Sequence, residues 1–194
     1  MERIEENAIV LDYLAEGKAV ERAQLRKEAV AQVLGTNWYT LLEIVPKMDE
    51  KGGYMKLAQQ EEVYIGKGER DKVHFIKKRI MFEDLTALAS SELETTVRKL
   101  VKAQEKRFID FFNNCQAISV RQHQLELLPK IGKKLMWEII EARKMPFTSF
   151  EDIKSRVKNM PNPEDIITDR ILAEIKAKEK YYIFTAHPPK EDRQ

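Results

Sequence analysis

The chain is poor in cysteine and glycine, has almost no net charge, and lacks long apolar runs. Its 194 residues include one cysteine, seven glycines, and 34 basic against 32 acidic residues. With Cys115 as the single cysteine, an internal disulfide and a cysteine-based zinc site are excluded, which favours a reducing compartment. The net charge of +2 excludes an evenly basic protein that coats nucleic acid, so an anion-binding surface must be local.

Membrane and export features are also missing. Hydrophobic residues make up 43% of the chain. No uninterrupted apolar run, however, approaches the ~18 residues that a membrane span needs. The N-terminal sequence MERIEENAIV starts with alternating charges and lacks the basic and then apolar regions of a signal peptide. We therefore expect a soluble, cytoplasmic protein with no membrane contact.

Short runs rich in β-branched and aromatic residues predict strands in the first part of the chain, with glycine-containing turns between them. The predicted strands are 8–14, 29–35, 39–45, 61–66 and 72–82. About five strands within about eighty residues favour a small barrel over a sandwich, which usually needs about seven. In the last run, Val73 and Phe75 share one face and Ile76 and Ile80 share the other, which predicts a β-bulge.

From residue 83 onward, apolar residues spaced three or four apart predict helices. A long helix is expected over 91–114, with Ser91 and Glu94 as its capping box. It would pack on the barrel or join the barrel to the rest of the chain. At the other end of the chain, the sequence YYIFT predicts a short strand at 181–185.

Four shorter helices are expected between residues 119 and 178, arranged as two similar helical hairpins. The first hairpin consists of helices 119–128 and 133–144. In the second, one helix begins near residue 150 with Thr148 and Glu151 as its capping box. The last helix begins at Pro163, with Asn162 as its N-cap.

The turn of the first hairpin carries the clearest functional pattern. The segment Leu127–Lys134, LLPKIGKK, places the only glycine after residue 68 directly before two lysines at a predicted helix start. A helix N-terminus offers unpaired N–H groups and a partial positive charge, and a glycine lets a phosphate approach the backbone. Lysines there oppose the helix dipole, a cost that makes sense if an anion binds. The alternative is an ordinary helix connection with a C-cap glycine.

We therefore expect a phosphate clamp in which the glycine acts through its backbone and the lysines act through charge. Its expected members are Lys130, Ile131, Gly132, Lys133 and Lys134, extended by Arg143 and Lys144. Between residues 121 and 158 there are nine basic and five acidic residues, a local excess of positive charge. Such an excess favours salt-dependent, sequence-tolerant contact with a phosphate backbone.

The sequence LLPKIGKKLMWEIIEARKMPFTSFEDI (127–153) resembles a helix-hairpin-helix motif of the non-specific nucleic-acid-binding type. In its usual form, a Leu-Pro-Gly-Ile-Gly turn precedes one or two lysines and a helix that ends in Ile-Ile-x-x-Arg. This sequence departs from it at Lys130, which replaces the first glycine. Together with YIGKGERDKV (64–73), the motif is similar to a small archaeal family described as predicted nucleic-acid-binding, often RNA-binding, proteins. That family joins an oligonucleotide-binding (OB) type barrel to a helix-hairpin-helix domain.

The residues and the resemblance together imply an α+β protein of two domains, an N-terminal OB-like β-barrel followed by an all-α helix-hairpin-helix domain. The expected ranges are 1–90 for the barrel, 91–116 for a connecting helix, 117–180 for the helical domain and 181–194 for the tail. The second hairpin would be degenerate. The expected partner is nucleic acid, with RNA favoured over DNA by the resemblance alone, and protein partners are unknown.

A second basic surface is expected on the barrel. Residues 67–80 contain six basic and two acidic residues, the basic ones being Lys67, Arg70, Lys72, Lys77, Lys78 and Arg79. OB barrels bind single strands with basic loops and with aromatic side chains on which bases stack. The candidate aromatic residues are Trp38, Tyr39, Tyr54, Tyr64 and Phe75. Alternate aromatic residues in strands more often belong to the core, so the basic loop is the stronger candidate.

Catalysis finds little support in the sequence. His74, His123 and His187 lie far apart without metal-ligand spacing, and no nucleophile elbow or Walker loop is present. Cys115 ends an apolar helix and is expected to be buried. We therefore expect a non-catalytic protein without metal or cofactor. Two alternatives remain open, a protein-interaction scaffold that uses the helical hairpins and a metal-dependent enzyme that processes nucleic acid.

Overall fold

The computed structural model describes residues 4–17, 28–177 and 179–188. The chain divides into two compact units. The first comprises Met1–Thr96 and Glu174–Gln194, so the chain returns to it after the second unit. The second comprises Val97–Ala173. None of the helices in the described ranges combines the length with the apolar character that crossing a bilayer requires.

A curled, five-stranded antiparallel sheet forms the centre of the first unit. Its strands are β1 (Asn7–Leu14), β2 (Val30–Gly35), β3 (Leu41–Pro46), β4 (Glu62–Tyr64) and β5 (Val73–Arg79). Their spatial order is β4-β1-β2-β3-β5. The fourth strand lies beside the first, as in a Greek key. The sheet is a half-barrel, and within the described ranges no hydrogen-bonded ladder joins β4 to β5. The expectation of five strands in a barrel-like sheet is confirmed at this level.

One face of the sheet forms an apolar core because every second strand residue points to it. The core side chains include Ala8, Val10, Ala31, Val33, Leu42, Ile44, Val63 and Val73. The bulge expected in the last strand is also present. Ile44 pairs with Ile76 and Glu43 with Lys78, so Lys77 is an extra residue in β5.

A buried carboxylate organises the turn between β2 and β3. Glu5 accepts hydrogen bonds from the backbone N–H groups of Asn37 at 2.9 Å, Trp38 at 2.9 Å and Thr40 at 3.1 Å. A Cβ atom on Gly35 would lie 2.1 Å from the carboxyl carbon of Glu5. Glycine is therefore required at position 35 by the close approach of this side chain.

A second buried carboxylate holds the end of the chain, where the expected strand 181–185 is wrong. Glu174 accepts hydrogen bonds from the N–H groups of Ile183 at 3.0 Å, Phe184 at 3.0 Å and Thr185 at 2.9 Å. It also accepts one from the Thr185 hydroxyl at 3.1 Å. Successive N–H groups of a strand point to opposite sides, so three that converge on one carboxylate are incompatible with an extended strand.

Helices dominate the rest of the chain. They are α1 (Ala87–Ala103), α2 (Glu105–Asn114), α3 (Lys133–Ala142), α4 (Phe150–Arg156) and α5 (Pro163–Ile175). A small hairpin of β6 (Ala117–Ser119) and β7 (Gln122–His123) separates α2 from α3.

The expected helix 91–114 is divided into α1 and α2 in the structure. Helix α1 begins at residue 87, four residues earlier than expected. Thr86 caps α1, since its hydroxyl oxygen accepts a hydrogen bond from the N–H of Ala89 at 3.1 Å. Ser91 lies inside α1 and donates to the carbonyl of Leu88 at 2.8 Å, so the Ser91–Glu94 capping box is wrong. At Gln104 the backbone leaves helical geometry, with φ −106° and ψ 25°, and α2 begins at the next residue.

The expected helix 119–128 is wrong. The chain forms the β6–β7 hairpin and then a single 3₁₀ turn, Gln124–Leu127. His123 starts this turn, because its Nδ1 accepts a hydrogen bond from the N–H of Leu125 at 3.1 Å. The carboxylate of Glu126 accepts in return from the N–H of His123 at 2.8 Å. This capping box fixes the helical start at residue 124, too late for more than one turn before Pro129.

The caps of α4 and α5 differ in how well the sequence predicted them. The hydroxyl of Ser149 caps α4 by accepting from the N–H of Asp152 at 3.0 Å, so the Thr148–Glu151 box is wrong by one residue. The carbonyl oxygen of the Asn162 side chain accepts from the N–H of Glu164 at 3.3 Å, which confirms Asn162 as the cap of α5.

We predict that Gly35→Ala destabilises the protein by about 1–3 kcal/mol, because the added methyl group overlaps the Glu5 side chain. Gly53→Ala is the matched control. Its Cβ would lie 3.7 Å from the nearest atom, an ordinary contact. The measurement is the free energy of unfolding in denaturant. Equal values for the two variants would contradict the steric role assigned to Gly35.

Removal of the second buried carboxylate should release the end of the chain. Glu174→Ala leaves the N–H groups of residues 183–185 without their acceptor, at a cost of about 1–3 kcal/mol for each unsatisfied buried group. Hydrogen exchange of these three amides should become faster than in Glu69→Ala, which alters an exposed carboxylate. Unchanged protection of residues 183–185 would contradict the contacts described.

Candidate nucleic-acid interface

The turn before α3 has a defined backbone geometry. The N–H of Ile131 donates to the carbonyl of Leu128 at 3.3 Å, which closes a four-residue turn. Pro129 occupies its second position, and Lys130 occupies its third position with φ +64°. These features match a type II turn, whose third residue needs a positive φ and is usually glycine. Lys130 therefore takes the left-handed conformation of the glycine that it replaces, at a cost of about 1–2 kcal/mol.

The turn between α4 and α5 has the same geometry. The N–H of Met160 donates to the carbonyl of Val157, again at 3.3 Å. Asn159, in the third position, has φ +57°. The two turns expected to be similar are thus alike in their backbones, even though a 3₁₀ turn precedes one and an α-helix precedes the other.

Buried contacts fix α3 and its turn from several sides. Leu128 and Ile131 are buried. The guanidinium of the buried Arg170 donates to the carbonyl of Leu127 at 2.9 Å. At the other end of α3, Arg156 donates to the carbonyls of Ala142 and Met145. The C-terminal end of α3 thus receives a positively charged donor from within the protein, as the helix dipole favours.

The N-terminal end of α3 is different, since its amides have no acceptor. In the described part of the chain, no group accepts a hydrogen bond from the N–H of Gly132, Lys133 or Lys134. Gly132 is exposed, with φ −91° and ψ 178°, and a Cβ placed on it would meet no atom within 4 Å. Neither its conformation nor steric crowding within the chain therefore requires glycine here. An approaching ligand would have this open space.

Positive charge surrounds these amides. Lys130, Lys133 and Lys134 are exposed and form no ion pair with any described residue. The first turn of α3 contains no acidic residue. The helices α2, α4 and α5, by contrast, each carry an acidic side chain in the first turn, as the helix dipole favours.

The equivalent end of α5 is filled by the protein's own side chains. Asp165 accepts a short hydrogen bond from the guanidinium of Arg98, and Glu164 lies 3.9 Å from the same group. The hydrogen bond from Arg98 lowers the pKa of Asp165, and the charge of Lys130 contributes to the same shift. The second turn thus has the same backbone geometry but has its charges balanced internally.

The expected extension of the clamp lies elsewhere. Arg143 and Lys144 follow the last residue of α3, about 15 Å from its first turn at the helical rise of 1.5 Å per residue. Arg143 donates to the carbonyl of Phe112 at 3.0 Å and to the sulfur of Cys115 at 3.2 Å. Lys144 pairs with Glu141 at 2.6 Å. The structure therefore does not bring these two residues to the turn.

One side chain near the turn was not among the expected site residues. Trp137 lies on α3, four residues after Lys133 and three after Lys134, and is 64% exposed. Met136 and Ile139, its neighbours on α3, are buried. The sequence contained a sign of this, because three consecutive apolar residues, Leu135 to Trp137, cannot all face one side of a helix.

The basic residues of the first unit mostly have partners. Lys72 pairs with Glu61, Lys77 with Glu28 at 2.7 Å and Lys78 with Glu43 at 3.7 Å. Arg70 donates to the carbonyl of Gly66 at 2.9 Å and Arg79 to that of His187 at 2.6 Å. Burial lowers the pKa of Arg79. Lys67 is exposed at the tip of its loop and has no partner in the described ranges.

The two glycines beside Lys67 make room for an aromatic ring. A Cβ on Gly66 would lie 2.4 Å from the hydroxyl oxygen of Tyr64, and one on Gly68 would lie 3.1 Å from it. The N–H of Gly68 also donates to this hydroxyl at 3.2 Å. Among the candidate stacking residues, Tyr39 is buried, which excludes it, whereas Tyr64 and Phe75 are partly exposed.

Residues with catalytic or metal-binding chemistry do not converge in the described ranges. No group of three or more His, Cys, Asp or Glu side chains there is arranged to hold a metal ion. Cys115 is buried, as expected, and burial raises the pKa of its thiol. Burial also lowers the pKa of His123.

Comparison with known proteins gives consistent matches over most of the chain. The model of a family described as a protein of unknown function (DUF655) matches residues 4–186. The uncharacterized protein MJ0038 of Methanocaldococcus jannaschii is 42% identical over 186 residues, which cover 94% of this chain and 81% of that protein. The crystal structure of Af1531 from Archaeoglobus fulgidus, also described as DUF655, superposes with a TM-score of 0.81. It is 47% identical and covers 94% of this chain and 100% of its own.

We predict that Arg98→Leu raises the pKa of Asp165 toward its ordinary value, whereas Arg98→Lys raises it less because the charge is kept. A depressed carboxyl pKa stabilises the fold above the unfolded-state pKa of about 3.9 and loses this effect as pH falls through the folded-state pKa. The stability difference between wild type and Arg98→Leu should therefore shrink below about pH 4. The measurements are carboxyl NMR titration and unfolding at several pH values. An unchanged Asp165 titration would contradict the ion pair.

Proposed function

The chain belongs to the DUF655 family of uncharacterised archaeal proteins, and we propose that it is a non-catalytic nucleic-acid-binding protein. In this proposal, the turn before α3 binds a phosphate of the nucleic-acid backbone. The observation that carries the proposal is the first turn of α3, where unbonded amides, an exposed glycine and unpaired lysines occur together.

The chemistry of the turn suits a phosphate in three respects. The N–H groups of Gly132, Lys133 and Lys134 supply hydrogen-bond donors, and the helix dipole adds a partial positive charge. The lysines add full charges that attract the phosphates on either side. None of these contacts reads a base, so the proposed binding is tolerant of sequence.

Charge placement favours this proposal over a plain helix connection. A C-cap glycine of the preceding helix would have a positive φ, but Gly132 has φ −91° and is the N-cap of α3. The positive φ belongs to Lys130 instead. Two lysines at the positive end of α3 are unfavourable for the isolated helix, and a bound anion would offset that cost.

The barrel surface has a smaller part in the proposal. Five of its six expected cations already contact groups of the first unit, which leaves Lys67 as the one without a partner in the described ranges. The preference for RNA over DNA rests only on the resemblance to predicted RNA-binding proteins.

The test is a substitution that stabilises the fold and blocks the site. In Gly132→Asp, the new carboxylate accepts hydrogen bonds from the amides at the start of α3 and occupies the position of the phosphate. We expect the free energy of unfolding to stay equal or to rise by up to about 1 kcal/mol. Affinity for labelled single- and double-stranded RNA and DNA should fall about tenfold or more, since a hydrogen bond to a charged group contributes about 1.5–3 kcal/mol.

Gln59→Glu is the control, because it makes the same change in net charge at an exposed residue of the first unit. Titrations at about 50 mM and about 200 mM salt separate phosphate binding, which weakens steeply, from protein–protein docking, which does not. Equal affinities of Gly132→Asp and Gln59→Glu for every nucleic acid would overturn the proposal. Binding that ignores salt would favour the protein-interaction scaffold instead.

A further inference from the structure

We propose that Trp137 is a stacking platform for an unpaired nucleobase, so that the site prefers single-stranded over fully paired nucleic acid. This inference rests on the proposed function, because it requires a strand at the start of α3. It adds the physical state of the ligand, which phosphate contacts alone leave undefined.

The exposure of Trp137 is the first observation. Its indole is 64% exposed, whereas tryptophan is among the residues that bury most area in folded proteins. The side of α3 that carries Met136 and Ile139 packs in the core, and Trp137 is displaced from it by one helical step of about 100°.

The position of Trp137 relative to the turn is the second observation. Residues three and four apart on a helix are neighbours, so Trp137 shares a face with both Lys133 and Lys134. Four helical residues rise about 6 Å, and long side chains on a helix lean toward its N-terminus. Helix geometry therefore places residue 137 on the face of α3 that begins at the two lysines, about one turn after the unbonded amides.

Charge decides which partner fits this surface. The cations Lys130, Lys133 and Lys134 precede the indole along α3 and its turn, and none forms an ion pair in the described ranges, although the charge of Lys130 also acts on Asp165. One turn after the indole, Glu141 has its charge balanced by Lys144 at 2.6 Å. An aromatic face beside unpaired cations and free amides complements a nucleotide, which presents a phosphate and a flat base together.

Stacking on an indole requires an accessible base face. Inside a duplex both faces of each base are covered by neighbours, only the terminal pairs expose one face, and exposing an internal base costs unpairing and unstacking. A single strand has no such cost, and stacking tolerates any base because each has a π-face. The surface therefore suits loops, ends and single strands.

The experiment combines affinity and fluorescence. Trp137→Ala should weaken binding of a single-stranded oligoribonucleotide about tenfold, within the range for loss of one stacked base, and leave a blunt duplex nearly unchanged. Trp137→Phe should retain most of the affinity. Met145→Ala is the matched control, because it removes an exposed apolar side chain beyond the other end of α3. Circular dichroism and unfolding curves confirm that each variant folds.

Tryptophan fluorescence reports the contact directly once Trp137 is the only tryptophan. The chain has two tryptophans, so the other one is replaced. In a Trp38→Phe background, Trp137 is the sole tryptophan, and the single-stranded oligoribonucleotide should quench its emission when tryptophan is excited selectively. An abasic strand of equal length should bind more weakly and should not quench. Equal affinities for the two strands, or equal losses of single-strand and duplex binding in Trp137→Ala, would overturn the inference.

The remaining outcomes separate this inference from the proposed function. If Gly132→Asp weakens binding of the abasic strand while Trp137→Ala weakens nothing, phosphate binding stands and stacking fails. If Gly132→Asp weakens nothing, the proposed function fails and this inference fails with it. If sedimentation shows a dimer that Trp137→Ala dissociates without any change in strand binding, the indole docks a second copy and the stacking inference is overturned.

Discussion

The need of every backbone N–H group for an acceptor organises this protein. Where a loop would leave several amides unbonded, the chain supplies one carboxylate for all of them, Glu5 for the turn after β2 and Glu174 for residues 183–185. The helices α1, α4 and α5 have side-chain caps. The starts of α2 and α3 have no side-chain cap, and α3 alone of these two also lacks an acidic residue in its first turn.

The contacts that hold α3 and its turn in place bear on the proposed phosphate site. The turn before α3 is tied by the buried Arg170 and by two buried apolar side chains, and the far end of α3 is closed by Arg156. Donors that are fixed in advance lose little entropy when a ligand binds. Lys130 contributes differently, because its strained backbone shapes the turn while its side chain stays outside. A glycine at position 130 would relieve the strain but would remove one cation from the site.

The sequence predicted those features that depend on local patterns. Runs rich in β-branched and aromatic residues located all five strands, and the phase slip after Phe75 located a bulge. The Pro129–Gly132 spacing located the turn. The predictions were wrong where two overlapping sequence patterns favour different local structures. The His123–Glu126 capping box limits residues 124–127 to one turn, although the surrounding sequence is compatible with a longer helix.

Long-range contacts explain most of the other errors. The tail has strand-forming residues, but Glu174 lies several residues earlier in the chain and determines its conformation. Similarly, Arg143 has the charge expected of a phosphate ligand, but its guanidinium donates a hydrogen bond to the carbonyl of Phe112. Trp137 was missed because an aromatic residue within an apolar run is normally assigned to the core. Once the boundaries of α3 are known, its position one residue after the buried Met136 places it outside the buried face of the helix.

The irregular fifth strand also bears on how copies of the protein behave in concentrated solution. In the described sheet, β4 and β5 are the outer strands, and a straight outer strand can recruit a strand from another molecule and start aggregation. β4 is only three residues long, and the bulge at Lys77 breaks the spacing of hydrogen-bonding groups along β5. Charged side chains also occupy the consecutive positions 77–79 of β5, and charged residues on an outer strand disfavour its pairing with another strand. Both borders of the sheet thus resist edge-to-edge association.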